Sequence, residues 1–176
     1  VGLSMEELKK IDEQLAKNNA AKQELEILKG MHIPLENLTS YRTLACFTGY
    51  VKGKKNLLFL RQEISKLTEK FVLLDSALRN KCFIALFVDV KNKEASASLL
   101  QKIGFSAVTF SNISHFKGNA AINLKKVEEE IIKLQNKKEA VKNSLKRLAD
   151  KNAGFLAEAD EFLSGQLEKA EAPLRF

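Results

Sequence analysis

Tryptophan is absent from this sequence, and proline, glycine, cysteine and histidine are scarce, with two prolines, eight glycines, two cysteines and two histidines among 176 residues. So few prolines and glycines favour long regular elements over many loops. Cys46 and Cys82 both lie in apolar runs, which indicates buried free thiols and a reducing compartment. No uninterrupted apolar run approaches the ~20 residues of a membrane-spanning helix, so we expect no direct membrane insertion by this segment.

Groups that carry catalysis or bind metals are also few. His32 and His115 have no Cys, Asp or Glu at metal-ligand spacing. Asp75 and Asp89 lack a second carboxylate or a nucleophile at a telling spacing. The segment Gly49–Lys55 resembles a phosphate loop, but its glycines are one residue too close and the required Ser or Thr is missing. We therefore expect no catalytic residue, cofactor or metal, and leave open only anion binding at the following helix start.

The net charge is +7, from 29 basic and 22 acidic residues. A basic balance can indicate nucleic acid, an anionic membrane surface or an acidic protein partner. Lysines alternate with glutamates through most of the C-terminal half, which favours a solvated helix surface instead. The chain begins with Val1 and not with Met, so we expect it to be a piece of a larger protein.

A heptad stripe dominates the C-terminal half and predicts a helix from about Asn119 to Glu171 with a coiled-coil seam. The apolar positions are Leu124, Val127, Ile131, Leu134, Val141, Leu145, Leu148, Phe155 and Phe162. Lys138 and Asn152 hold polar seam positions. Beyond Leu148 the stripe has no partner, so this end needs a bend back, a second copy or a missing segment. Gly154 is a possible break point.

A second, shorter stripe begins near the N-terminus. Ser4 and Glu7 form a capping-box pattern, and Gly30 is the natural end of this helix. Its seam positions are Leu8, Ile11, Leu15 and Leu25, with Asn18 and Lys22 as polar interruptions. We expect the two stripes to pair as an antiparallel two-helix coiled coil that carries a globular head.

The region between the stripes is an α/β (α+β) head. We predict strands at Tyr41–Val51, Phe71–Ser76, Cys82–Val90 and Phe105–Ser111, helices at Asn56–Lys70 and Lys93–Ile103, and a helical turn at Leu35–Leu38. The resulting order βαββαβ is ferredoxin-like, with an antiparallel sheet. This topology places the first and third strands centrally, and these are the two most apolar segments.

Such a sheet can also present aromatic rings to RNA bases. Phe47, Phe83 and Phe87 lie in the appropriate strands, but the third strand, Cys82–Val90, has neither the glycine nor the basic residue of the RNA-recognition signature. A core role fits these rings better. A nucleic-acid-binding or adaptor module with a coiled-coil arm stays as the alternative function, and an enzyme ranks third.

Arg42–Asn112 resembles the cytoplasmic N-terminal part of subunit I of archaeal and bacterial A/V-type ATPases, called subunit a in the eukaryotic vacuolar enzyme. The resemblance rests on Phe47-Thr48-Gly49 at a strand end, the apolar strand Phe83–Val90, and a helix ending in Leu99-Leu100-Gln101-Lys102-Ile103-Gly104-Phe105. A long heptad helix follows these elements. No counterpart of the family's membrane domain is visible.

The resemblance implies a non-catalytic stator component on the cytoplasmic side of a membrane-bound, proton- or sodium-translocating ATPase or ATP synthase. It implies a peripheral-stalk heterodimer of E/G or E/H type at the lobe, continuation into a membrane domain of the same subunit, and no nucleic acid. The expected segments are a coiled-coil helix at 1–30, a distal lobe at 31–118 and a second coiled-coil helix at 119–171. The expected stalk contacts are Lys52, Lys54, Lys55, Asn112 and Lys117.

Overall fold

The computed structural model describes residues 2–38, 41–152 and 160–167. The chain divides into two compact units. The lobe unit is Ala20–Val127, and the helical unit combines Val1–Asn19 with Glu128–Phe176. The elements are α1 (Gly2–Leu28), a 3-10 turn (Leu35–Leu38), β1 (Leu44–Lys52), α2 (Gly53–Leu67), β2 (Phe71–Leu78), β3 (Lys81–Asp89), a second 3-10 turn (Val90–Asn92), α3 (Lys93–Lys102), β4 (Ser106–Ala107) and α4 (Ala120–Lys151). Residues 160–167 are also helical.

The lobe unit contains a four-stranded antiparallel sheet in the order β2-β3-β1-β4. The predicted fold class and the central positions of β1 and β3 are therefore confirmed. The two central strands pair over their whole length, from Leu44 opposite Asp89 to Lys52 opposite Lys81. Because β3 has strands on both sides and helices or loops on both faces, it is apolar between its charged end residues Lys81 and Asp89, and the seven residues from Cys82 to Val88 are buried.

Strand β4 is much shorter than the predicted strand Phe105–Ser111. It pairs with β1 only at Ser106 and Ala107, followed by one further hydrogen bond from Val108 N to Thr48 O at 2.9 Å. The Thr48 hydroxyl donates to the Val108 carbonyl at 2.7 Å. A side chain thus satisfies the carbonyl that a continuing ladder would use, which accounts for the early end of the strand.

Gly49 permits the close approach of β4 to β1. A Cβ atom at this position would lie 2.6 Å from the Phe105 ring and would also meet the carbonyl oxygen of Ser106. Any larger residue would therefore push the β4 backbone away from its neighbour, since backbone atoms cannot yield as a flexible side chain does.

One face of the sheet packs against α2 and α3. Alternate residues of β3 and their partners on β1 point to this side, as the period of two in a strand requires. The buried cluster comprises Ala45, Val51, Leu57, Leu60, Ile64, Leu73, Cys82, Ile84, Leu86, Val88 and Leu100. Each large apolar side chain buried here contributes about 1.5–3 kcal/mol.

The opposite face is covered by the chain segments that enter and leave the lobe. Phe83 packs edge-to-face with Tyr50 and Phe110, with ring centroids 5.4 and 5.7 Å apart. After α1, a Cβ atom on Gly30 would lie 2.5 Å from Ser76 Oγ. Both faces of the sheet are therefore occupied in the region of Phe83, and its ring belongs to the core.

In the helical unit, α4 ends at Lys151, well before the predicted Glu171. Leu163 of the helical segment 160–167 joins a buried cluster with Leu8 and Leu145, and Val141 and Phe162 pack against it. A straight helix would carry Leu163 about 27 Å beyond Leu145, so segment 160–167 packs back against the helices. This is the bend back among the three predicted alternatives. Gly154, the possible break point, lies outside the described residues, as do Phe155 and Leu156.

The predicted seam positions differ in burial. Leu8, Ile11, Leu25, Val127, Ile131, Leu134 and Leu145 are buried, and Leu15 and Val141 are half-buried. Leu148 departs from the expectation: it is 43% exposed, and Ala149 is buried in its place. From Leu145 the buried stripe therefore steps by four residues and not by three, as the 3.6-residue period of a straight helix allows.

Ion pairs join α1 to α4 within the helical unit. Lys138 Nζ lies 2.6 Å from Asp12 Oδ1, and Lys137 Nζ lies 3.0 Å from Glu7 Oε1. Moving from Leu8 to Asp12 along α1 moves the neighbouring residue from Leu145 back to Lys138 along α4. The two segments therefore run in opposite directions, whereas their supercoiling stays a prediction.

Candidate partner-binding surface

Of the residues considered for catalysis, Asp75, Asp89 and His115 make structural contacts, and His32 is exposed. Asp75 pairs with Arg61 at 3.5 Å, and Asp89 accepts a hydrogen bond from Lys91 N at 2.9 Å, which caps the second 3-10 turn. His115 stacks on Phe116 at 4.2 Å. Among the described ranges, no three His, Cys, Asp or Glu residues come together as a metal site.

The cysteines are equally unsuited to chemistry. Cys82 is buried and Cys46 half-buried, and both are free thiols. Burial raises the pKa of the Cys46 thiol to about 11, because a low-dielectric environment disfavours the thiolate. The reactive thiolate form of Cys46 is therefore scarce at neutral pH.

The basic turn begins at the end of β1. Lys52 is the last residue of β1, Gly53 has a positive φ of 74°, and Lys54 and Lys55 lie in the first turn of α2. The φ of Gly53 suits glycine because it has no Cβ. Lys52 occupies the N-cap position without a side-chain cap, and the first turn holds no acidic residue. The positive end of the α2 dipole and three exposed lysines thus share one corner of the lobe.

Two further cations reach this corner from another part of the chain. In the β1–β3 register Lys81 stands directly opposite Lys52, and Arg79 lies in the tight connection between β2 and β3. The Lys81 ammonium lies 5.6 Å from the centroid of the Tyr50 ring, a cation–π distance. The sequence analysis did not select Arg79 and Lys81. The absence of acidic residues between 76 and 88 could have indicated that their charges are not compensated nearby in the chain.

The second predicted contact region, the loop from Asn112 to Lys117, is fixed at both ends by carboxylates. Glu24 of α1 accepts hydrogen bonds from Asn112 Nδ2 at 2.8 Å and from Asn112 N at 3.1 Å. Glu36 accepts a hydrogen bond from Gly118 N at 2.6 Å. This bond is the main cause of the lowered pKa of Glu36. Asn112 is thus held from within the lobe, while Lys117 is exposed.

A cleft of about 400 Å³ lies beside this loop. Its lining combines residues of the first 3-10 turn, β1, the segment after β4 and the loop itself: Leu35, Glu36, Leu38, Thr48, Val108, Thr109, Phe110, Ile113, Ser114, Phe116 and Lys117. Thr48 lines the cleft, and Lys52 lies four residues further along β1, about 13 Å away. The basic turn and the loop at 112–117 therefore lie beside different points of β1.

The aromatic residues that an RNA-binding sheet would present are not available. Phe83 and Phe87 are buried, and Phe47 packs against the cluster beneath α2 and α3. Bases stack on exposed aromatic faces in single-stranded nucleic-acid sites. These three rings are core residues, as the sequence favoured.

Comparison with known proteins finds a curated relative that matches nearly the whole chain. The chain is 27% identical over 175 residues to A-type ATP synthase subunit I of Archaeoglobus fulgidus, a match that covers 99% of this chain. The chain resembles subunit I of A-type ATP synthases. The resemblance that the sequence motifs indicated is therefore confirmed. The match takes in only 25% of the relative, so the chain spans about a quarter of that protein's length.

No protein-family model matches the chain. Among solved structures, the crystal structure of the cytoplasmic N-terminal domain of subunit I, homolog of subunit a, of V-ATPase aligns with a TM-score of 0.49 and 19% identity. That alignment covers 96% of this chain and 65% of the solved one. Within the described residues, no helix combines the length and apolarity needed to cross a bilayer.

Proposed function

We propose that this chain is a non-catalytic part of subunit I of a rotary ATPase, on the cytoplasmic side of a membrane-bound complex. The observation that carries the proposal is the similarity to A-type ATP synthase subunit I, which covers 99% of this chain and 25% of that protein. In this role the chain is part of the stator, the assembly that holds the catalytic head against the torque of the rotor.

The helical unit would supply stiffness. Paired helices resist bending better than a single helix because their side chains interlock along a shared seam. In this unit the seam contains both apolar contacts, at Leu8 and Leu145, and the Asp12–Lys138 ion pair. We assign these contacts to an antiparallel coiled coil that continues into the remainder of the same subunit and its membrane domain.

The lobe unit would supply attachment. We assign to it the binding of a peripheral-stalk heterodimer of E/G or E/H type, with the basic turn and the loop at 112–117 as contacts. The loop suits this role because its backbone is already fixed by Glu24 and Glu36. A fixed loop loses little conformational entropy when a partner binds.

Co-purification tests this function. The tagged full chain and the stalk heterodimer of the same ATPase are expressed together, and the complex is weighed by size-exclusion chromatography with light scattering. We expect a complex of one chain with one heterodimer and no ATP hydrolysis by the chain. Absence of a complex at micromolar concentrations, with both partners folded by circular dichroism, would refute the attachment role.

A further inference from the structure

Five cations form one exposed cluster on the lobe, here called the basic surface: Lys52, Lys54, Lys55, Arg79 and Lys81. They come from the end of β1, the start of α2 and the β2–β3 connection with the start of β3. No ion pair involves any of them in the part of the chain that the structure describes. The nearby Arg61 differs, since Asp75 neutralises it.

The sequence leaves this cluster uncompensated. Residues 37–62 and 76–88, which contain all five cations, include no aspartate or glutamate. Elsewhere acids and bases are mixed, as in α4. The positive charge is therefore concentrated at this corner and is not a uniform property of the lobe.

The concentration of positive charge lowers the stability of the sheet at the Lys52–Lys81 pair. These residues are direct partners in the β1–β3 register, and like charges directly opposite each other in an antiparallel pair destabilise the sheet. Within the lobe unit the Tyr50 ring offsets part of this cost for Lys81, but the repulsion between the two ammonium groups remains. It would be relieved by anionic groups of a partner placed over both ammonium groups.

Apolar side chains are interleaved with the cations. Leu58 is 61% exposed and Phe59 is 46% exposed, and each lies one helical turn after a lysine of α2, namely Lys54 and Lys55. Leu78, opposite Lys81 in the β2–β3 register, is exposed as well. Along α2 the surface thus alternates positive and apolar groups at the 5–6 Å spacing of a helix surface. Leu78, Lys52 and Lys81 lie on the sheet face turned away from α2, because they alternate with strand residues that are buried under it.

We propose that the basic surface is the docking site for an acidic amphipathic helix of the peripheral stalk. A helix that carries carboxylates and leucines one turn apart would place its apolar side chains on Leu58 and Phe59 of α2 and its acids on the lysines at the start of α2 and at the adjoining strand ends. This inference rests on the proposed stator function and adds the chemistry of the partner and the residues Arg79 and Lys81. Nucleic acid fits less well, because phosphates make no use of the exposed Leu58 and the sheet rings Phe47, Phe83 and Phe87 belong to the core, which leaves Phe59 of α2 as a single exposed ring beside the lysines.

The decisive variant is Lys52→Glu, since it affects binding and stability in opposite directions. It places a carboxylate opposite Lys81, so the cross-strand repulsion becomes an attraction. We expect the apparent Tm of the full chain to rise by about 1–3 °C. The same substitution removes one attraction to an acidic helix and adds a repulsion, so the Kd for the stalk heterodimer should rise about tenfold at low salt.

Two further variants separate charge at this corner from general effects. Lys52→Glu combined with Lys81→Glu restores a like-charge pair, so Tm should return towards the wild-type value while the affinity falls further. Lys70→Glu makes the same charge change just before β2, about 26 Å along the chain direction of that strand from Leu78. We expect Lys70→Glu to leave the Kd within twofold of the wild type.

Binding is measured by isothermal titration with the purified stalk heterodimer, and parallel titrations use a 20-nucleotide single-stranded RNA and vesicles that contain anionic phospholipid. Equal affinity of the Lys52→Glu and Lys70→Glu variants for the heterodimer would overturn the proposed surface and leave the stator function standing. No binding of the wild-type chain to the heterodimer would overturn both. Tighter binding of RNA or vesicles than of the heterodimer, lost in Lys52→Glu, would assign the surface to that other polyanion.

Discussion

Lys138 occupies a position of the helical unit that an apolar residue would fill in a regular seam, and its pairing with Asp12 gives a quantitative prediction. The Nζ–Oδ1 distance is 2.6 Å, and the side chains of Lys138 and Asp12 are only 14% and 23% exposed. Asp12 Oδ2 is buried and has no hydrogen-bond partner among the described residues. The perturbation is Lys138→Met, which keeps the length of the side chain and removes its charge.

The structure bounds the expected loss of stability. Removing one partner of a fully buried ion pair costs about 3–5 kcal/mol, and an exposed pair contributes about 0.2–1 kcal/mol. The Asp12–Lys138 pair lies between these limits, because water reaches part of both side chains. We therefore expect Lys138→Met to lower the free energy of unfolding by about 2 kcal/mol, mainly because it leaves the Asp12 carboxylate in an apolar seam.

A matched control lies one residue away. Lys137 pairs with Glu7 at 3.0 Å, but these side chains are 57% and 44% exposed. Lys137→Met makes the same chemical change on the same helix and should lower the stability by less than about 1 kcal/mol. Urea titrations followed by far-ultraviolet circular dichroism give both values, and repeating them in 1 M salt should weaken the Lys137 effect more strongly.

A second substitution, at the ion-pair partner Asp12, tests whether the unpaired carboxylate causes the loss of stability. Adding Asp12→Leu to Lys138→Met removes the stranded carboxylate and supplies an apolar pair, which should restore most of the lost stability. Equal losses for Lys138→Met and Lys137→Met would contradict the assignment of Asp12–Lys138 as a desolvated pair. A double variant as unstable as Lys138→Met alone would contradict the explanation by an unpaired carboxylate.

Three other predictions concern packing and the anchored loop. Gly49→Ala should displace β4 and lower Tm by several degrees, because its methyl group would meet backbone and ring atoms of β4 and the residue before it. Leu163→Ala should cost about 2–4 kcal/mol of stability, whereas Leu167→Ala, at a 52% exposed position, should cost less than about 0.5 kcal/mol. The folded pKa of Glu36 is lowered from 4.5, so its bond to Gly118 N stabilises the fold above that pH and is lost as pH falls through the folded pKa. Amide hydrogen exchange at Gly118, compared with the Glu36→Gln variant, measures this loss; a pH-independent difference would refute it.

The sequence located most elements of the lobe because each carries a strong local pattern. The buried strand β3 is a continuous apolar run, and α2 has its apolar residues at helical spacing, so both appear close to where they were predicted. The central position of β1 followed from the ferredoxin-like order βαββαβ, which places the first and third strands in the middle of the sheet. The final strand was overpredicted because the pattern of Phe105–Ser111 cannot indicate that the Thr48 hydroxyl takes up the Val108 carbonyl.

Contacts that depend on the register between distant segments could not be predicted from the sequence. Asp12 reaches Lys138, and Lys81 reaches Lys52, only after two distant segments have been aligned. A shift of one residue in a strand would turn Lys81 to the other face. The return of segment 160–167 was one of three open alternatives, because the stripe predicts that Phe162 needs a partner but does not identify which one.

The central claim, attachment of this lobe to the stalk of a rotary ATPase, is tested most directly inside the assembled complex. A photo-crosslinking phenylalanine analogue is placed at Lys54 of the basic surface, and a second at Lys70 as a control. The crosslinked products are identified by mass spectrometry after irradiation of the purified parent ATPase. We predict that position 54 forms a covalent product with a subunit of the stalk heterodimer and that position 70 does not. Products of position 54 that contain only rotor or catalytic-head subunits would contradict the account.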